Sequence, residues 1–391
     1  MKRIYIFVLL VFSLNFCSCK NYKIERKSID KTMLISVVGI DISPENKVIV
    51  TICPKVATPS NDSSNIENKS YIINSEGDTI FEAIRNIFTS SDAKPFLGNV
   101  EHIIIGEEVA KKDIIKYLDC FSRDHEFRLN MKVFVSRGCS AREILEQASN
   151  SNIILSDYLK SLLSNIDSNS ISSEVELATL IHKFDNKFLC PYIPCISLGS
   201  KNGVNIDQFS IYLDGYAIFK NSKLIGYLIG NEARGLNWII EKIKSGVIIV
   251  KDLNEENISL EISEASSKII PQFSKEKLSV LIKIRTSSNV GEITGKEDIF
   301  TKDYFSYLEK QQSNIIKSEV EKALAFSRKN NADIFDINGF IFRKHPIKWK
   351  KLQNNWDEIF PEVDIQIQVT SLINRSYEIK RPTNDNRKKE L

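Results

Sequence analysis

The order of strand and helix patterns in the first 150 residues constrains the fold more than any other feature of the sequence. Residues 33–42 and 48–56 are two β-rich apolar runs separated by a polar turn, which predicts a hairpin. Helix and strand patterns then alternate, so the whole order is β, β, α, β, α, β, α. Two of these helices begin at capping boxes that start at Thr79 and Ser140. The pattern predicts a sheet covered by helices, an α/β layer structure.

Patterns in the rest of the chain indicate two further mixed units, so the predicted fold class is α+β or α/β with three mixed domains after a signal peptide. Strands are predicted over 209–213, 216–219, 224–229, 258–270, 278–285 and 363–369, and helices over 107–121, 174–184, 233–244, 301–328 and 346–360. Pro191, Pro194 and the polar stretch 197–205 predict a boundary. The predicted division is a signal peptide at 1–18, an N-terminal α/β domain at 19–200, a small middle α/β domain at 201–256, a C-terminal α/β domain with a long helix at 257–380 and a flexible tail at 381–391.

The composition is that of an ordinary folded protein and excludes several classes. Hydrophobic residues make up 42% of the 391 residues and charged residues 26%, which argues against wholesale disorder. The 53 Lys and Arg against 50 Asp and Glu leave a net charge of +3. A dedicated nucleic-acid binder normally carries a larger, clustered basic excess, so we predict no nucleic-acid partner.

The start of the chain has the three-part pattern of a lipoprotein signal peptide. Two basic residues follow Met1, the 13 residues 4–16 are almost wholly apolar, and Cys17 and Cys19 come directly afterwards. A helix that crosses about 30 Å of hydrocarbon needs about 20 residues. The apolar run is therefore too short for a comfortable membrane span and is predicted to be a cleaved leader.

Cys19 is the predicted lipid attachment site. Peptidases that cleave before a lipid-modified cysteine need a small residue ahead of it, which Ser18 provides for Cys19 and Phe16 does not provide for Cys17. Cys17 stays open as an alternative because Leu14 lies three residues before it. A coincidental cysteine at the end of an apolar run is the other alternative. Diacylglyceryl and N-acyl lipid on Cys19 would hold the chain at a membrane surface, and no other cofactor is predicted.

The remaining cysteines and histidines do not have the spacing of a metal site. Five cysteines follow Cys19, and only Cys190 and Cys195 form a close pair. Zinc sites need two such pairs or added histidines at short spacing. The chain has four histidines and none lies near another. We therefore predict no metal and interpret the five cysteines as buried thiols without a disulfide framework.

Signatures of catalysis are absent from the sequence, so no enzymatic activity is predicted. The glycines at Gly291 and Gly295 are too close for a phosphate-binding loop, and Glu297 stands where such a loop needs a hydroxyl group. The sequence contains no nucleophile elbow, no His-Glu-x-x-His pair and no dinucleotide fingerprint.

Three groups of residues have both a functional and a structural interpretation. The charged run 123–128 contains acid-base residue types, but a solvated turn held by ion pairs explains it better. Trp349 and Trp356 could offer a stacking platform, but their spacing favours the core face of a helix. Residues 232–235 could bind an anion at a helix N-terminus, but a plain helix start suffices.

Several segments, taken in order, resemble one family: the Ger(x)C-type spore germination lipoproteins, the C subunits of nutrient germinant receptors. The resemblance extends from the leader to Val369 and rests on residues 37–41, 101–110, 123–128, 141–145, 219–228, 232–238, 332–333, 346–349 and Trp356. One departure is that the family usually places Trp-Asp just after the lipid cysteine, whereas residues 20–26 contain Tyr22 and no such pair.

The resemblance implies a protein of three α/β domains with no catalytic activity. It implies two membrane-embedded partner subunits, A and B, and a lipid-anchored position on the extracytoplasmic face of the spore inner membrane. The small-molecule germinant site of such receptors is assigned to the partner subunits, so any contact of this chain with the germinant is expected to be indirect. Cys19, with Cys17 as the alternative, is the only functional position predicted.

Two other functions stay open. A solute-binding lipoprotein would capture a small nutrient directly, and a deep apolar cleft between domains with convergent polar groups would favour it. A cell-wall enzyme would require clustered carboxylates with strongly shifted pKa values.

Overall fold

A computed structural model of the chain describes residues 32–55, 71–91, 93–199, 210–274, 277–294 and 301–374. The predicted leader, Cys17 and Cys19, and the tail predicted at 381–391 lie outside the described residues.

The described chain builds two sheets and the helices that cover them. The strands are β1 Thr32–Ile42, β2 Val48–Lys55, β3 Ile73–Gly77, β4 Lys94–Phe96, β5 His102–Ile105, β6 Lys132–Ser136, β7 Tyr192–Leu198, β8 Ile211–Lys220, β9 Lys223–Ile229, β10 Val247–Lys251, β11 Asn257–Ser274, β12 Lys277–Ile293 and β13 Asp364–Asn374. The helices are α1 Ile80–Ser90, α2 Glu107–Ala110, α3 Ile114–Arg123, α4 Ala141–Asn150, α5 Leu155–Ser164, α6 Leu177–Asp185, α7 Asn231–Ile239, α8 Lys302–Lys329, α9 Ile337–Lys344, α10 Pro346–Leu352 and α11 Trp356–Ile359. The mixed α/β class expected from the sequence is confirmed.

The large sheet has helices on both faces. Its strand order is β3-β2-β1-β5-β6-β7-β8-β9, with β4 also paired to β1; the central strands β1, β5, β6 and β7 run parallel. Strand β5 shows the two faces directly: Ile103 and Ile105 join the core that contains α1, α3 and α6, whereas Ile104 joins the core under α4 and α5. Burial on both faces explains why the central strands are continuous apolar runs.

The small sheet carries the long helix α8. Its order is β10-β11-β12-β13, antiparallel except for the parallel pair of β12 and β13. Helix α8 packs along β13 and against α7, so that α7 connects the two sheets. The strands β11 and β12 are 18 and 17 residues long, well beyond the predicted ranges.

The sheets do not follow the predicted domain bounds. Strands β8 and β9, expected in a small middle domain at 201–256, extend the large sheet beyond β7, and β10 belongs to the small sheet. Pro191 and Pro194, interpreted as marking a boundary, lie directly before β7 and within it, in the interior of that sheet. The register of β7 and β8 shifts between Pro194 and Ile196, which accommodates the missing donor of Pro194 at an irregularity.

Three predicted helices are shorter than their periodicity suggested. The helix expected over 107–121 is broken into α2 and α3, because the amide of Ile114 donates to the carbonyl of Ser222 at 2.9 Å instead of continuing the helix. The helix expected over 233–244 ends at Ile239. The helix that begins at Pro346 is interrupted by a 3₁₀ turn before α11.

Candidate functional site

The candidate site is a cavity of about 720 Å³ between the two sheets. One wall comes from α6 and β7 of the large sheet, another from β11 of the small sheet, and the rest from the end of α7 and from α9. The walls are mostly apolar; their aliphatic and aromatic members are Leu189, Tyr192, Ile239, Ile240, Ile269, Ile270, Ile334, Phe335 and Phe340. An apolar cavity of this size with a few polar groups is the usual form of a small-molecule site.

Lys183 lies in the cavity beside the aromatic ring of Tyr192. It lies in the last turn of α6, and its Nζ stands 3.9 Å from the centre of the Tyr192 ring. Burial, supported by the nearby charge of Lys242, lowers the pKa of Lys183 to about 8, and Asp336 acts in the opposite direction. No carboxylate oxygen of the described residues lies within ion-pair distance of this ammonium group.

The carboxylates of the cavity are occupied by other partners. Asp336 pairs with Arg343 at 3.2 Å. Asp333 is buried and accepts hydrogen bonds from the amides of Ile337 and Asn338 at 3.0 and 2.8 Å, which hold the start of α9. Burial raises the pKa of Asp333 to about 6, although these hydrogen bonds act to lower it. Glu241, the third carboxylate that lines the cavity, accepts the amide of Ser267 at 3.2 Å. None of the three carboxylates therefore neutralises Lys183 by contact.

Two of the nine described non-glycine residues with a positive φ lie at the rim of the cavity. Glu241 and Asp336 both have left-handed backbone angles, with φ of 59° and 58°. Such conformations cost about 1 to 3 kcal/mol in residues other than glycine and cluster at functional sites. Ser267, also at the cavity, is buried, and its Oγ has no hydrogen-bond partner among the described residues.

The helix pair beside the cavity is joined by a buried ion pair. Arg234 on α7 donates to both carboxylate oxygens of Glu319 on α8, with its Nε at 3.0 and 3.1 Å. The indole of Trp238 donates to the same carboxylate at 2.9 Å. A Cβ on Gly235 would lie 2.0 Å from the carbonyl oxygen of Glu319, so only glycine allows this close approach. Residues 232–235 therefore form the start of a packed helix, as the structural interpretation expected.

A second cavity of about 470 Å³ lies beside β5 and contains His102. Its lysines are paired: Lys132 with Glu176 at 2.7 Å and Lys160 with Glu101 at 2.7 Å. Burial, supported by the charges of these two lysines, lowers the pKa of His102 to about 4. The ring therefore stays neutral at pH 7, and the remaining cation of this cavity, Arg128, is exposed at its edge.

The charged run 123–128 forms an exposed turn between α3 and β6. His125 is 94% exposed and lies 3.7 Å from Asp124, whose carboxylate accepts the amide of Glu126 at 2.9 Å. Phe127 points inward and stacks edge-on against Phe121. The turn is held by a local ion pair of Arg123 with Asp119 and by an aromatic anchor, and its last residue, Arg128, also lines the cavity beside β5.

The two tryptophans are part of the core. Trp349 and Trp356 are both buried and their rings meet edge-on at 5.2 Å; Phe188 contacts Trp349 and Phe360 contacts Trp356. The stacking-platform alternative needed exposed faces. The structural interpretation is confirmed.

The remaining sequence candidates contribute no site among the described residues. Cys53, Cys120, Cys139, Cys190 and Cys195 form no disulfides, and burial raises the pKa of Cys190 to about 12. Within the described part of the chain, no three His, Cys, Asp or Glu side chains are close enough to hold a metal ion. Gly291 lies near the end of β12, and the rest of that glycine motif, from residue 295, lies outside the described residues.

Lys183 and Ser267 were not singled out in the sequence. Lys183 lies in the last turn of an amphipathic helix, at a position where a lysine is ordinarily solvated. Ser267 lies in a β-rich run of no special composition. No local signal distinguishes either residue, because the cavity forms only when α6, β11 and α9 meet.

Two family models match the chain, one on each side of residue 200. The N-terminal domain model of spore germination proteins matches residues 25–198. The model described as spore germination B3/GerAC-like, C-terminal, matches residues 214–377.

Whole-chain similarities point to the same group of proteins. Spore germination protein KC of Bacillus subtilis (strain 168) is 20% identical over 373 residues, covering 90% of this chain and 91% of the relative. Spore germination protein B3 of the same organism is 24% identical over 379 residues, covering 93% and 95%. The crystal structure of the GerBC protein matches with a TM-score of 0.56 at 20% identity, over 86% of this chain and 96% of that one. At this identity the structural match establishes the fold.

Proposed function

Because the chain belongs to the Ger(x)C-type family of spore germination proteins, we propose that it is the lipid-anchored subunit of a spore nutrient germinant receptor. The observation that carries the proposal is the match of two germination-family models to residues 25–198 and 214–377. The coarser statement, a role in spore germination, already follows from this membership and from the relatives. The anchor, the partners and the location belong to the proposal.

The proposed anchor is lipid on Cys19. The leader pattern and the small residue Ser18 support this position, and Cys17 is the alternative. Within the part of the chain that the structure describes, no helix combines the length and apolar composition needed to cross a bilayer. Three acyl chains on one cysteine suffice for stable attachment to a membrane surface.

The proposed partners are the membrane-embedded A and B subunits of the receptor, on the extracytoplasmic face of the spore inner membrane. Attachment to the same membrane raises the effective concentration of the chain near such partners, so that modest interfaces suffice for assembly. No enzymatic activity, nucleic-acid partner or further cofactor is part of the proposal.

Cys19→Ala is expected to release the protein from spore membranes into the soluble fraction, because the substitution removes the only thiol at the proposed attachment site. Fractionation of spore lysates followed by immunoblotting measures this. Cys17→Ala is the matched control and should leave the protein in the membrane fraction. Retention of the Cys19 variant together with release of the Cys17 variant would move the anchor to Cys17, and retention of both would contradict lipid anchoring in this leader.

Assembly is tested by using the full chain as bait in detergent extracts of spore membranes. The proposal expects co-purification of polytopic membrane proteins at fixed stoichiometry. A bait that is recovered intact and alone, from extracts that retain other membrane complexes, would contradict the receptor assignment.

Direct capture of a solute is the second candidate function, and the cavity between the sheets is the observation that favours it. Its apolar walls and its lysine meet the geometric expectation for a solute site. Such capture is compatible with membership in a receptor, because a bound solute could act through the same subunit.

A further inference from the structure

We propose that the cavity between the two sheets binds a small organic monocarboxylate with an apolar body, whose carboxylate pairs with Lys183 and whose body lies against the isoleucine and phenylalanine walls. The inference rests on the second candidate function, direct capture of a solute, and is independent of the proposed anchor and partner subunits.

The first argument is the uncompensated charge. Lys183 Nζ lies against the Tyr192 ring at 3.9 Å, and no described carboxylate is within ion-pair distance. A partly buried ammonium group without a counter-ion is costly, and an anionic ligand relieves that cost by forming a charge-assisted hydrogen bond. Asp336, the carboxylate that acts on Lys183 through space, is already engaged by Arg343 at 3.2 Å.

The second argument is the distribution of polar groups. The cavity presents one partly buried cation without a described counter-ion, one buried hydroxyl without a described partner on Ser267, and walls such as Ile269, Ile334 and Phe340. Its other charged side chains either have protein partners, as Glu241, Asp333, Asp336 and Arg343 do, or are exposed at the rim, as Lys268 and Lys344 are. A polyhydroxylated or multiply charged ligand would leave most of its polar atoms unsatisfied against these walls. A single carboxylate on an aliphatic body matches the set of groups present.

The third argument is contrast with the other cavity. There the two lysines already form ion pairs of 2.7 Å with glutamates, and the remaining cation, Arg128, is exposed. A carboxylate ligand would therefore have to displace a protein partner or pair with a solvated charge. At Lys183 no described partner has to be displaced. The exposed Lys268 and Lys344 at the cavity rim add a favourable field for an approaching anion.

The test is calorimetric titration of the full chain in phosphatidylcholine nanodiscs, with empty nanodiscs as the blank. The probe is 4-methylpentanoate, and the comparison ligand is its neutral amide, which has the same body. At pH 7 we expect saturable binding of the acid and about tenfold or more weaker binding of the amide, since a hydrogen bond to a charged group is worth that factor.

Two lysine variants test whether the carboxylate of the ligand pairs with Lys183. Lys183→Met is expected to weaken binding of 4-methylpentanoate by about tenfold or more and to leave binding of the amide unchanged. Lys187→Met is the matched control: this lysine is close in sequence, exposed, and also stands over an aromatic ring, that of Phe188 at 4.8 Å, but does not line the cavity. The control should bind the acid as the unmodified chain does.

The pH profile of the unmodified chain is a second measurement that needs no variant. Lys183 loses its proton as the pH rises through about 8, so affinity for the acid should fall about tenfold or more between pH 7 and pH 9.5. Tyr192 and Cys190, whose pKa values burial raises to about 12, stay neutral over this range. The other charged groups around the pocket are Glu241, Lys242, Lys268, Asp333, Asp336, Arg343 and Lys344.

Three results would each overturn the proposal: no saturable heat up to millimolar acid, equal affinity for acid and amide, or undiminished binding of the acid by a folded Lys183→Met chain. Should that variant fail to fold, a flat affinity between pH 7 and pH 9.5 decides against the lysine in its place.

Discussion

Glu319→Gln is expected to lower the free energy of unfolding by about 3 to 5 kcal/mol, the cost of breaking a buried ion pair by removing one partner. The side chains of Glu319 and Arg234 are only 2% and 12% exposed. Water therefore cannot solvate the guanidinium well enough to compensate for the lost ion pair. The amide would still accept from Trp238, but its NH₂ group would face the guanidinium, and the positive charge would stay without compensation between α7 and α8.

Urea unfolding at pH 7, followed by circular dichroism, measures this change. Glu321→Gln is the matched control, because Glu321 lies two residues further along α8, is about half exposed and pairs only loosely with Lys317 at 3.8 Å. The control is expected to change stability by less than about 0.5 kcal/mol. Equal small effects of both substitutions would show that the buried pair does not hold the two helices together.

The unmodified chain is expected to lose about 3 kcal/mol of its free energy of unfolding between pH 7 and pH 4 through protonation of His102. His102→Leu is expected to abolish this loss. Burial lowers the pKa of His102 to about 4 from 6.5, so the unfolded chain binds a proton at this residue that the folded chain does not. The contribution of the neutral ring to the free energy of unfolding is fully present above pH 6.5. It is lost as the pH falls from 6.5 to about 4. Leucine has no proton to bind, so this loss disappears in the variant.

The measurement is the difference between the variant and the unmodified chain in the free energy of unfolding, taken from pH 7 to pH 4. The comparison with the unmodified chain is needed because the contribution of Asp333 to stability changes with pH in the opposite direction. Its raised pKa, about 6, gives a contribution that is present at low pH and is lost as the pH rises from 3.8 through about 6. His125→Leu, at a side chain that is 94% exposed, is the matched control. A difference that does not vary with pH would contradict a buried neutral His102.

Much of the fold could be predicted because local patterns determine it. The capped helix starts at Thr79 and Ser140 are present as expected, and Ser140 with Glu143 forms the complete reciprocal box. The hairpin of β1 and β2 and the helix α8 also match their patterns closely. In each case the determining interactions lie within a few residues of one another, where periodicity and caps carry the information.

Features that depend on distant partners could not be predicted. The break after Ala110 exists because Ile114 meets a carbonyl more than a hundred residues away. The prolines of residues 191–194 indicated a boundary, yet their strand lies between two others in the large sheet. The cavity likewise needs α6, β11 and α9, which are separated in sequence by long intervals, and Lys183 has no local signal of its special surroundings.

The pairing of β7 with β8 has a consequence for how the chain must be made. During synthesis, residues up to 198 emerge from the ribosome first, and one edge of β7 stays open until residues 211–229 arrive to cover it. An open edge beside buried strands is a template for wrong pairing with another chain. The two segments that the family models treat separately are therefore one folding unit at this edge, and a fragment ending near residue 200 would be an aggregating species rather than a smaller version of the protein.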